Sequence, residues 1–381
     1  MFNFYTNYSI VKGCVTKQSP YYVQFFISNK CHLKCKMCNI VSANSHLDIV
    51  DINKIEHIAK NLRSIGVGIV LLTGGEPFIR DDIVDIVKIF RKYGITPRLQ
   101  TAGLLGRFDR MLECSKLGAK DINISLDTLD ENLGDEINGV KGSWKQAIKT
   151  IGKITREFPS HDTVCAFGCV LSPLNIAHVE SVLDFANAIG WSLSLVPVHL
   201  NRGSGNLHFR GNNEIFAFKE DDYIKVEKLV DILHKRKKNG DNIFDSEKYL
   251  DSIVSFVETG YPSWRYKGIC DSPNLYFAIR PDGRFAPCCD QDIEESVYVY
   301  DDNFVNLYRS GVLHKKVREI SMVCSGCNFG SYPEMTLTAR HFPTFLERVK
   351  LELKGNKIKH HVFSDDELFS IIKDIRQKYN Y

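Results

Sequence analysis

Three cysteines fall within eight residues, Cys31-His32-Leu33-Lys34-Cys35-Lys36-Met37-Cys38, directly after a short apolar run. Three thiolates at this spacing can hold three irons of a [4Fe–4S] cube and leave the fourth iron open to an outside ligand. Structural zinc is the alternative, but it normally takes four ligands. No further Cys or His pairs nearby at zinc-finger spacing, and His32 is too close in sequence to serve comfortably. A later group, Cys270, Cys288, Cys289, Cys324 and Cys327, implies a second sulfur-rich site. With 12 cysteines in all and no secretory signal, the chain reads as a reduced-compartment protein whose thiols serve metal or catalysis rather than disulfides.

These residues need elements to position them. From about residue 21, short apolar runs alternate with amphipathic stretches, the mark of β/α units around a parallel sheet. Strands are expected over Tyr22–Ser28, Gly68–Thr73, Thr96–Thr101, Asp121–Asp127, Thr163–Leu171 and Ser192–Val198. Six such units make a partial barrel, an α/β fold whose loops at the strands' C-terminal ends form the active face. The first cysteine motif sits on such a loop. Apolar helix faces are expected at Ile52, Ile55, Ile58 and Leu62, and at Ala147, Ile148, Ile151 and Ile154, with Ser143 as N-cap of the latter. The expected organisation is an N-terminal extension over 1–20, the barrel over 21–205 and a helical linker over 206–268. A metal-organised region over 269–330 and a tail of outer helices over 331–381 complete it.

Forty-nine basic residues against 46 acidic give a net charge of +3, so no field marks nucleic acid or an anionic membrane as partner. Neither a signal peptide nor an apolar run long enough to span a membrane is present, which places the chain in the cytoplasm.

The cysteine motif, followed by Leu71-Leu72-Thr73-Gly74-Gly75-Glu76-Pro77 at the end of strand two, resembles the radical S-adenosylmethionine (SAM) superfamily. The resemblance implies that Cys31, Cys35 and Cys38 ligate a [4Fe–4S] cluster whose open iron takes the amino and carboxylate groups of SAM. It implies that Thr73, Gly74, Gly75 and Glu76 bind the SAM amino group, glycine backbone being able to approach a ligand closely. Alternation puts Asn123, Ser125 and Asp127 on one face of strand four. Ser125 there looks like the serine that contacts SAM, and Asp127 is a candidate catalytic group. Asn138 stands where many relatives carry an arginine for the SAM carboxylate, and Val196 resembles the segment flanking adenine. Asn175 matches a frequent family residue, with a helix cap as its alternative.

Cys270-x12-Gly283-x4-Cys288 with Cys324-x2-Cys327 resembles the SPASM auxiliary domain in its shortened, twitch form. That implies one auxiliary [4Fe–4S] cluster on these four cysteines. A zinc ribbon is the alternative, although its usual knuckles are two C-x2-C pairs. Pro281-Asp282-Gly283-Arg284 reads as the hairpin turn that brings Cys270 and Cys288 together. Cys289 stands where sulfatase-maturing relatives carry a catalytic aspartate, so it is a candidate hydrogen donor, a substitute ligand or an inert core thiol. Cys165 and Cys169, evenly spaced on strand five, read as core or as donors.

The activity implied is reductive cleavage of SAM to a 5′-deoxyadenosyl radical that abstracts a substrate hydrogen. The expected substrate is a ribosomally made peptide, with an aminoglycoside- or sugar-type small molecule as the alternative. A flavodoxin or ferredoxin is the expected electron donor. Only about 20 residues precede the first strand, too few for the leader-binding domain of many peptide maturases.

Overall fold

The computed structural model describes residues 2–159, 163–200, 214–265, 270–354 and 361–381. Six parallel strands appear as expected: β1 (Tyr22–Ser28), β2 (Ile69–Gly74), β3 (Thr96–Thr101), β4 (Asp121–Ser125), β5 (Cys165–Leu171) and β6 (Ser192–Pro197). Two more follow, β7 (Tyr276–Ile279) and β8 (Phe285–Ala286), and the sheet order is β6-β5-β4-β3-β2-β1-β7-β8. The β7–β8 hairpin therefore extends the barrel's own sheet, β7 running parallel to β1 with Tyr22 beside Tyr276. The expected boundaries at 205/206 and 268/269 lie outside the described residues.

Helices cover the outer face of the sheet. In Ile52–Ile65 the Asp51 carboxylate accepts from Lys54 N, Gly66 closes the helix at φ +104°, and Ile55, Ile58 and Leu62 are fully buried. Ser143 is not the N-cap of Ser143–Glu157. Gly142 is, and the Ser143 hydroxyl reaches back to Asp135 and Asn138 instead. Cys165 and Cys169 point into this helix-side core with Phe167, 1% and 0% exposed, and are packing residues. The inner face carries Tyr22, Phe26, Ile69 and Leu71, packed with Tyr276, Cys289 and Tyr332.

The N-terminal extension and the tail both dock on the barrel. The N-terminal segment is a helix, Phe4–Thr16, that closes the N-terminal ends of the strands: Thr6 Oγ1 donates to Gly68 O (3.0 Å) and Ser9 Oγ to Gly66 O (2.7 Å). The tail is not wholly external. Helix Ser331–Arg340 enters the open side of the barrel, where Tyr332 OH donates to Gln24 Oε1 on β1 (2.7 Å) and Tyr22 OH to Ser331 Oγ (3.0 Å). The last helix, Asp365–Tyr379, does pack outside, burying Leu368 and Ile372 against Ser143–Glu157 and Val179–Ile189.

Beyond β6 the sheet edge is met by the segment Asn242–Asp245, with Leu193 N donating to Asn242 O and Phe244 N to Leu193 O. Asp245 is buried there, accepting from Ser194 Oγ (2.9 Å) and Leu195 N (2.6 Å). Burial, reinforced by the charge of Glu334, pushes its carboxyl up to about 7. A folded pKa above the unfolded one means that folding takes up a proton. Stability from this group is full below about pH 4 and is lost as pH rises through about 7. Asp245→Asn, whose amide can serve the same two partners, is expected to flatten the pH dependence of Tm across that window and to raise Tm at pH 8. Thermal melts from pH 4 to 8 check it.

Candidate active site

The first cysteine motif leaves the C-terminal end of β1 as a loop, with Cys31 and Cys35 half-buried and Cys38 exposed. Main-chain N–H groups fix it from within and without. Leu33 N donates to Cys31 Sγ (3.4 Å), while Lys34 N and Lys36 N donate to Asn138 O (3.0 Å) and Ile137 O (3.2 Å). Burial pushes the Cys31 thiol up to about 11 and raises Cys35 further, with the charges of Glu76 and Cys38 adding at Cys31 and those of Cys38, Asp127 and Cys31 adding at Cys35. Neutral thiols of this kind ionise on binding metal, which makes affinity rise with pH. Among the described residues no three His, Cys, Asp or Glu side chains converge as the ligands of a single metal ion must.

The Gly74-Gly75-Glu76 segment is stitched against this loop. Gly75 N donates to Ser28 O (2.8 Å) and Glu76 N to Lys30 O (2.7 Å). Gly74 has φ +135°, and a Cβ on Gly75 would stand 2.1 Å from Lys30 O, so the approach excludes any side chain. Thr73 shares the inner face with Ile69 and Leu71. Glu76 differs from expectation. Its side chain is fully buried and turned into the protein, Oε1 accepting from Thr101 Oγ1 (2.8 Å) and Phe78 N (3.1 Å), Oε2 from Ala102 N (2.9 Å). Burial pushes its carboxyl up to about 6 against those donors. It ties the ends of β2 and β3 and holds the glycines in place.

Ser125, Asp127, Asn138 and Trp144 line one small cleft beside the motif. Asp127 lies past the end of β4, and its Oδ1 accepts from Val170 N (2.6 Å), pinning β4 to β5; burial pushes its carboxyl up to about 7. Asn175 stands at the N-cap position of the short helix Ile176–His178, but its side chain makes no capping bond there. Its amide staples the same corner, donating to Asp127 O (2.9 Å) and Val170 O (3.0 Å) while accepting from Ser172 N (2.8 Å). The Asn138 amide is bonded to Cys35 Sγ (3.8 Å) and Ser143 Oγ (3.1 Å). Val196 is half-buried on β6 and abuts Gly330 at the start of the inserted tail helix.

The later cysteines also gather. Cys270 precedes β7, Cys288 follows β8, and Cys324 and Cys327 follow helix Val312–Val323. Pro281–Arg284 forms the expected turn, with Gly283 at φ +86° and Arg280 N donating to Arg284 O (2.8 Å). Burial pushes Cys270 up to about 12, and the charges of Cys288 and Cys324 act on both Cys270 and Cys327, so the four sulfurs share one neighbourhood. Arg265 Nη1 donates to Cys324 O (2.5 Å) and Trp264 Nε1 to Cys327 O (2.7 Å), anchoring the last pair. Cys289 S–H donates to Cys288, which lowers the Cys288 thiol. Cys289 itself is 1% exposed and belongs to the inner-face cluster, its N–H donating to Tyr332 OH (3.1 Å). Tyr332 and Gln24 complete this arrangement, and no local spacing in the sequence marks either.

The radical SAM superfamily profile matches residues 25–186. GTP 3′,8-cyclase of Clostridium perfringens is 37% identical over 312 residues, covering 78% of this chain and 87% of that protein. This chain belongs to the radical SAM superfamily. The sporulation killing factor maturation protein SkfB of Bacillus subtilis is 24% identical over 288 residues, 74% of this chain and 63% of that protein. In fold, the chain resembles Streptococcus suis SuiB bound to S-adenosylmethionine, with a TM-score of 0.60 at 16% identity over 86% of this chain and 76% of that one.

Radical SAM enzymes use SAM and a [4Fe–4S] cluster, and the residues present suit both. Cys31, Cys35 and Cys38 share one loop, and the glycine cradle beside it admits no Cβ. The chemistry supplied when both are bound is one-electron cleavage of SAM, giving a carbon radical that takes hydrogen from substrate. What this chain contributes is geometry. Main-chain donors hold the cysteine loop, Gly74 and Gly75 pack backbone to backbone against Ser28 and Lys30, and the inner face beside them is lined by buried side chains.

Proposed function

We propose that this radical SAM enzyme removes hydrogen from a residue of a ribosomally made peptide, forming a cross-link, an epimer or a related product. Cys31, Cys35 and Cys38 hold the SAM-binding cluster. Cys270, Cys288, Cys324 and Cys327 hold one auxiliary [4Fe–4S] cluster, and a flavodoxin- or ferredoxin-type donor supplies electrons. The observation that carries the reading is the hairpin β7–β8, which joins the barrel sheet and sets Cys289, just past β8, in the buried inner-face cluster that also holds Phe26 and Leu71. From there Cys289 gives its S–H hydrogen to a substrate carbon radical. The sulfur is left one electron and one proton short, a deficit made good by the external reductant and solvent.

The likeness to SkfB supports the peptide reading, as does the inner face itself. Arg98 on β3 is paired with Asp121 (3.4 Å), and among the apolar side chains of the inner face Gln24 and Tyr332 place an amide and a hydroxyl. Such a lining suits a chain of amides better than a polyanion. The 37% likeness to GTP 3′,8-cyclase favours a second reading, radical chemistry on a small molecule such as a nucleotide.

Anaerobic turnover in deuterated water, offering candidate precursor peptides and GTP in parallel, separates the two by mass spectrometry. Peptide conversion with deuterium at carbon is expected, and Cys289→Ala should still form deoxyadenosine but lose the deuterium. Consumption of GTP with every peptide untouched would overturn the peptide reading. Iron at about eight per chain, falling to about four in Cys270→Ala, tests the auxiliary cluster.

A further inference from the structure

The cysteine loop does not hold itself; it is docked on the elbow between helices Glu131–Asn138 and Ser143–Glu157. Lys34 N and Lys36 N donate to the last-turn carbonyls of Asn138 and Ile137, which would otherwise lack partners. The elbow is rigid. The Asp135 carboxylate accepts from Gly142 N (2.5 Å), Trp144 N (2.9 Å) and Ser143 Oγ (3.2 Å). Gly139 takes φ +67°, and a Cβ there would stand 2.4 Å from Lys34 O, so loop and elbow touch backbone to backbone. Between them lies the Asn138 amide, one terminal atom 3.8 Å from Cys35 Sγ and the other 3.1 Å from Ser143 Oγ.

With a free thiol, S–H donates to Oδ1 and Nδ2 donates to the serine hydroxyl. A cysteine that ligates iron has no S–H, and Oδ1 would then set its lone pairs against those of the sulfur. A half-turn about the last side-chain torsion exchanges the two terminal atoms at nearly the same places. Nδ2–H then points at sulfur, and the Ser143 hydroxyl, free to rotate, donates to Oδ1 while Asp135 keeps its two backbone donors.

We infer that in the iron-loaded enzyme Asn138 donates an N–H···S hydrogen bond to Cys35, locked by Ser143, and thereby raises the reduction potential of the SAM-binding cluster. A donor aimed at a ligand sulfur stabilises the reduced, more negative form over the oxidised one. Asn138 is thus a positioning residue that acts through Cys35. The inference rests on Cys35 being an iron ligand.

The test is a redox titration of the reconstituted full-length protein, followed by electron paramagnetic resonance. Asn138→Ala is expected to make the reduced-to-oxidised ratio at fixed potential about tenfold smaller, a shift of about 59 mV to the negative for one electron. Ser143→Ala, which leaves the amide but removes the partner that orients it, should shift the ratio the same way by a smaller factor. An unchanged potential in Asn138→Ala with full iron overturns the inference. Should that variant fail to retain iron, Ser143→Ala decides, and an unchanged potential there overturns it equally. Failure of the underlying ligand assignment is distinguishable, since Cys35→Ala would then keep the SAM-binding iron.

Discussion

Cys35→Ala is expected to abolish deoxyadenosine formation and to cost about four iron atoms per chain, while the barrel melts within a few degrees of the wild type. The two halves of this expectation have different physical origins. Cys35 is half-buried on a loop outside both apolar clusters, so removing its sulfur opens no core cavity. The loop stays docked as well, because the bonds that dock it run from the main-chain N–H groups of Lys34 and Lys36, which the substitution leaves intact. What disappears is the ligand, and with two cysteines remaining on the loop a cube would have two uncapped irons. Iron analysis, circular dichroism and chromatography of SAM products check the three parts separately. Retained deoxyadenosine formation would contradict the assignment of this loop.

The barrel was legible because parallel strands buried on both faces read as near-continuous apolar runs. Tyr22–Ser28 and Thr96–Thr101 have the bounds that the sequence predicts. The strand expected to reach Asp127 stops at Ser125, because Asp127 turns to bond Val170 across the sheet. The turn at Pro281–Arg284 was legible from residue types, but its place beside β1 was not. That register joins Tyr22 to Tyr276, and nothing local in either segment names the other. The first helix was hidden for a different reason. It buries Thr6, Ser9 and Gly13 and leaves Phe4, Tyr8, Val11 and Val15 exposed, so its apolar periodicity points away from the protein.

The same division runs through the site. Cysteine spacing and the glycine pair announce themselves in the sequence, since ligation and close backbone approach restrict residue type. The partners of Glu76 and Asn138 do not, since each is set by elements distant in sequence: Thr101 and Ala102 at the end of β3, Cys35 on the loop after β1. A carboxylate that looks like a ligand group in the sequence is, in three dimensions, the brace of the turn that carries Gly74 and Gly75.

That brace makes Gly75→Ala the most damaging small substitution expected at the SAM site. The added methyl would stand 2.1 Å from Lys30 O and 2.5 Å from Lys30 C, both backbone atoms that no rotamer change can move. Either the cysteine loop or the exit of β2 must shift. A shift breaks Gly75 N to Ser28 O and Glu76 N to Lys30 O, and it drags a carboxylate that has no exposure to water away from its three donors. Overpacking of this kind costs about 1–3 kcal/mol, and misplacing the cradle by about 1 Å is enough to lose about 100-fold in rate. Gly106→Ala is the matched control, since nothing lies within 4 Å of its Cβ. The expected result is a lower Tm, SAM affinity weakened at least about tenfold and cleavage nearly lost in Gly75→Ala, against wild-type behaviour in Gly106→Ala. Calorimetric SAM titration under anaerobic conditions reads the first-order effect. Unchanged SAM affinity in Gly75→Ala would mean that the glycine pair serves only the turn and that SAM lies elsewhere on the barrel's active face.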